Sequence, residues 1–101
     1  MSGLTELEAR LDSATTALLV ELRSTKVVNS SAMLEVNEVA EGAVSRLAEE
    51  ELVPRVLTGK LWFVFTAMLT EADHAQSPDP ILDAAWDYHE RLIQVFGPRW
   101  G

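Results

Sequence analysis

Leu4, Leu7, Leu11, Ala14, Leu18 and Leu22 recur at spacings of three and four, with Glu, Arg, Asp and Thr dominating the positions between. This spacing predicts an amphipathic helix of about 20 residues with a narrow apolar seam. Such a seam suits the inside of a bundle, or pairing with a second copy as a short coiled coil. Arg23 to Ser31 breaks the pattern with β-branched and short polar residues, placing a connection there and a helix N-cap between Asn29 and Ser31. A second helix follows to about Leu52. Val36, Val39, Ala40, Ala43, Val44 and Leu47 form its apolar stripe. Glu38 lies opposite that stripe, Glu35 and Glu41 flank it, and Glu49, Glu50 and Glu51 close the segment.

Pro54 interrupts the second helix and suits the opening of a third. The run from Leu61 to Leu69 is apolar on every side. At about 100° per residue, Leu61, Phe65, Met68 and Ala72 share one face, while Phe63 and Ala67 point almost the opposite way. A helix apolar all round must be covered all round, by its own domain or by another chain. The competing reading is a hairpin over 52–65, with Leu52–Leu57 and Leu61–Phe65 as strands joined by Thr58, Gly59 and Lys60. Pro54 weakens its first strand, and Ala67 to Ala72 continue as good helix formers.

Ala75 to Pro80 reads as a turn, with Asp79 as cap and Pro80 at the first position of a fourth helix. There Ile81, Ala85, Tyr88, His89, Leu92 and Phe96 share a face, Trp86 and Ile93 edge it, and Asp83, Asp87 and Glu90 lie away from its centre. Gly97 and Pro98 end the helix. The expected fold is all-α, a compact bundle of about four helices in one domain over 1–101, with the third helix most central. Residues 1–23 form a packing or dimerising helix, and 97–101 a short tail. Should three neighbours fail to cover the third helix, its Phe63/Ala67 side becomes an interface with a partner or a second copy. The alternative is α+β, with the hairpin at 52–65.

A chain of 101 residues has room for one core, and 48% apolar with 24% charged residues is ordinary globular composition. The absence of cysteine excludes a disulfide framework and a thiolate metal site. Acids stand near the start, at Glu6 and Glu8, where a signal peptide would need bases. The run at Leu61 would span only about 14 Å as a helix, roughly half of a bilayer core. A cytoplasmic location without membrane contact is the expectation. Sixteen acids against eight bases give a net charge of −8, which opposes nucleic-acid binding. The same charge favours encounter with a basic partner, or serves solubility alone.

Two helical carboxylate patterns invite metal chemistry. Glu71-x-x-His74 is one Glu-x-x-His unit, where a di-iron carboxylate bundle needs two units and two further Glu. Glu38-x-x-Glu41 resembles the first half of the magnesium site of MazG-like nucleotide pyrophosphatases, which are all-α. In that resemblance Glu71-x-x-His74 would be the second half, but His74 stands where the family has Asp. A solvated helix face is the simpler reading, and no cofactor is expected.

His74 suits a surface position at a helix C-terminus, while His89, within an apolar face, reads as a buried polar group bonded to a carbonyl or hydroxyl. Trp62, Trp86 and Tyr88 fit core packing or, alternatively, an apolar ligand pocket between helices. Trp100 can plug the bundle end or insert into a partner. The function these features favour is a non-enzymatic protein-binding module for another, basic protein. Glu35, Glu38, Glu41, Glu49 and Glu50 would form its acidic face, with Phe63, Ala67 and Trp100 as apolar contacts. In size and charge the chain resembles bacterial immunity proteins and antitoxins, which neutralise basic toxic enzymes. No diagnostic motif assigns it to a family. The alternatives are a small apolar-ligand bundle and the MazG-like metal-dependent enzyme.

Overall fold

The computed structural model describes residues 3–47 and 53–96, with four helices: α1 Gly3–Thr25, α2 Ser30–Leu47, α3 Arg55–Asp73 and α4 Asp79–Phe96. The bundle reading holds. Segment 52–65 is no hairpin, because α3 runs unbroken from Arg55, and no strand occurs among the described residues.

Local chemistry sets the helix ends. Asn29 Oδ1 accepts from the Ala32 backbone N–H at 3.1 Å, an N-cap for α2. Pro54 sits one place earlier than the first helical position, as the N-cap of α3. Its carbonyl accepts from the Thr58 N–H at 3.0 Å and from Thr58 Oγ1 at 3.0 Å. Likewise α4 begins at Asp79, a residue ahead of expectation, with the Leu82 N–H donating to the Pro78 carbonyl at 2.9 Å. Lys26 leaves α1 with φ 60, a left-handed conformation that side-chain-bearing residues rarely adopt.

Helix α1 packs on α2 and α3, and α4 packs on the same two, so the order around the bundle is α1–α2–α4–α3. The short connections make α1–α2 and α3–α4 antiparallel pairs. By contrast α1 and α3 run parallel in a fixed register. Lys60 Nζ lies 2.9 Å from Asp12 Oδ2, and further along the same two helices Arg23 Nε lies 3.6 Å from Glu71 Oε2. The predicted seam of α1 is buried at Leu7, Leu11, Ala14, Leu18 and Leu22, joined by Val36, Val39, Leu57, Leu61, Met68, Ile81 and Leu92 from the other helices.

The placement of α3 differs from expectation. It has two neighbouring helices, not three, and the bundle is only 18 Å thick along its shortest axis. Phe63 is consequently 50% exposed, but Ala67 is 8% exposed and belongs to the core. Phe63 and Ala67 therefore do not form a joint surface. Four residues turn a helix by about 40°, which carries Ala67 towards the Lys60 side that faces α1.

Candidate interaction surface

Three acids of the face expected on α2, Glu35, Glu38 and Glu41, have ion-pair partners within the chain. Arg10, on α1, donates from Nε to Glu35 Oε2 at 2.7 Å and from Nη2 to Glu38 Oε1 at 3.5 Å. The Arg10 hydrogen bond holds the Glu35 carboxyl below its ordinary range. Arg91, on α4, donates to Glu41 Oε2 at 2.9 Å and to Asp87 Oδ2 at 2.9 Å. Glu35, Glu38 and Glu41 are thus staples between helices before they are bait for a partner. Glu49, Glu50 and Trp100 lie outside the described residues.

The outward face of α4 is different. Asp79, Asp83, Trp86, Asp87 and Glu90 fall within one helix face, and all are exposed. Of these acids only Asp87 has an ion-pair partner among the described residues. Trp86, in the middle, is 52% exposed. Its ring packs edge-on against Phe65 at 5.1 Å and His89 at 5.1 Å between centroids. Trp62 extends the group, 6.0 Å from His89 and stacked on Phe96 at 5.9 Å. The result is an aromatic shelf across α3 and α4 that supports an exposed indole. The sequence did place Trp86 at an edge and the acids off the core face. It could not show that Glu35, Glu38 and Glu41 would find arginines while Asp79, Asp83 and Glu90 would find no cation among the described residues.

His89 is not the buried polar group expected. It is half-buried in this shelf, among rings. Its neighbour Tyr88 fills that role, fully buried, with its phenol donating to the Leu61 carbonyl at 2.6 Å. Burial pushes the Tyr88 phenol up. Because Tyr88 points into the core while Trp86 points out, Trp62, Trp86 and Tyr88 do not line one pocket.

The carboxylates considered for metal binding are separated and otherwise engaged. Glu38 contacts Arg10, and Glu71 accepts from Lys26 Nζ at 2.7 Å. Among the described residues no group of three His, Cys, Asp or Glu converges as a metal site. A groove of about 650 Å³ does open between α1 and α3, lined by Thr15, Thr16, Val56, Gly59 and Phe63 among others. No described helix is long and apolar enough to cross a membrane. In comparisons with known proteins, no family model, no curated protein and no solved structure matches this chain.

Proposed function

We propose that the chain is a non-enzymatic protein-binding module whose outward α4 face docks a basic partner. The observation that carries this reading is Trp86, half exposed yet braced by Phe65 and His89, with Asp83 and Glu90 beside it. An exposed tryptophan held in place loses little freedom on binding, and tryptophan is enriched among the residues that dominate interface energies. Asp79, Asp83 and Glu90, which have no ion-pair partner among the described residues, supply the field that steers a basic surface towards it. The net charge of −8 acts in the same direction at longer range. The size and charge that resemble immunity proteins and antitoxins fit a basic toxic enzyme as the partner.

The test is capture from native lysate on immobilised protein, with salt elution. Wild type is expected to retain a basic protein that elevated salt releases. Trp86→Ala and the Asp83→Lys/Glu90→Lys double variant should each lose it while keeping the helical circular dichroism spectrum. Retention by both variants would refute the α4 face.

A further inference from the structure

The outward face of α3 carries Val56, Gly59, Phe63, Thr66 and Thr70, spaced by three, four, three and four. All five are exposed, and none bears a charge. This is the repeat by which one helix meets another along a seam, on a side of α3 open to solvent whose first half borders the groove with α1. Glycine is unfavourable inside a helix unless something must approach closely. For Gly42 that something is inside the chain, since a Cβ there would stand 3.0 Å from a Leu7 methyl. For Gly59 it is not: a Cβ would meet nothing within 4 Å. At Gly59 the bare backbone meets no described residue, which leaves room for a close approach from outside the chain.

Charge indicates which object. Arg55 precedes the seam and Asp73 follows it; both are exposed, and neither has an ion-pair partner among the described residues. A parallel copy would set like charges together. An antiparallel copy sets each Arg55 beside Asp73 of the other chain, with the two-fold axis near residue 64. The same register lays Phe63 beside Thr66, and Gly59 beside Thr70, of the second copy. Two molecules of charge −8 repel over most of their surfaces, but here the seam is neutral and its ends complement one another.

We propose that the protein forms a two-fold homodimer in which the Val56–Thr70 face of α3 packs antiparallel on its counterpart, with reciprocal Arg55–Asp73 pairs. This pairing is independent of the α4 reading and leaves both Trp86 faces open. Sedimentation velocity over a range of micromolar concentrations tests it. Wild type is expected to be dimeric at the upper end. Phe63→Glu should weaken dimerisation by about thirtyfold or more without loss of helicity, since Phe63 is half exposed in the monomer. Arg55→Glu and Asp73→Arg should each weaken it, and the double variant should restore it. A wild type that stays monomeric throughout overturns the proposal and leaves the seam to a different protein. A dimer that survives Phe63→Glu overturns it by assigning self-association to another face. Failure of the double variant to recover refutes the antiparallel register.

Discussion

The Tyr88 phenol on α4 donates a 2.6 Å hydrogen bond to the Leu61 carbonyl in the middle of α3, with both residues fully buried. Leu61 already lies within a continuous helix, so its oxygen serves a second donor and locks α4 against α3 at one height. Tyr88→Phe removes the donor and keeps the ring. The expected cost is about 1 kcal/mol, the usual net value of a hydrogen bond, or roughly a 4–8 °C lower melting temperature. Thermal unfolding followed by circular dichroism measures it.

Phe63 and Phe65 are two residues apart and differ sharply in environment, 50% against 8% exposed. Phe65→Ala should cost about 3–5 kcal/mol through the cavity it leaves. Phe63→Ala should cost under about 1 kcal/mol when measured at concentrations where the chain is monomeric. Urea unfolding of the two variants checks the orientation of α3 directly. Equal losses would contradict it.

The two glycines offer a second contrast. Gly59→Ala adds a methyl where there is open space and should stabilise the folded monomer by about 1 kcal/mol. Gly42→Ala must displace a Leu7 methyl that would stand only 3.0 Å away, so it should gain less than Gly59→Ala or lose. Chemical denaturation midpoints rank them.

Glu71 gives the fold a pH dependence of known sign. The Lys26 hydrogen bond, with Arg23 and His74 nearby, lowers its pKa from the ordinary value of 4.5. A group with a lowered folded pKa contributes stability that is complete above its unfolded pKa and fades as pH falls through the folded one. The wild-type melting temperature should therefore drop below about pH 4.5, and Glu71→Gln should lower the neutral-pH value while flattening that acid limb. Arg10→Ala, by contrast, should change stability by under about 1 kcal/mol, because its pairs with Glu35 and Glu38 are solvent-screened.

What the sequence revealed follows from what its residues do locally. The seam of α1, the Asn29 cap and the breaks at Pro54 and around Pro78 all act within a few positions of themselves, and they appear where expected or one residue away. The pairing of Glu35, Glu38 and Glu41 within the chain was not legible because their cations lie 25 to 50 residues distant, at Arg10 and Arg91. The central placing of α3 failed for a related reason. Periodicity shows that Phe63 is apolar but not how many neighbours the bundle supplies. Between Tyr88 and His89, adjacent on one helix face, only the path of α3 decides which side chain meets a carbonyl.

The left-handed turn at Lys26 ties the two halves of the molecule together. A residue with a side chain resists that backbone shape, and the ammonium that offsets it reaches Glu71, 45 positions later in the chain. The first corner is thus completed by the last turn of the third helix. An isolated fragment ending at Leu47 would keep the strain and lack its compensation, so its corner would open more readily than the same corner in the whole protein. Cooperativity between the amino- and carboxy-terminal halves is written into one awkward lysine.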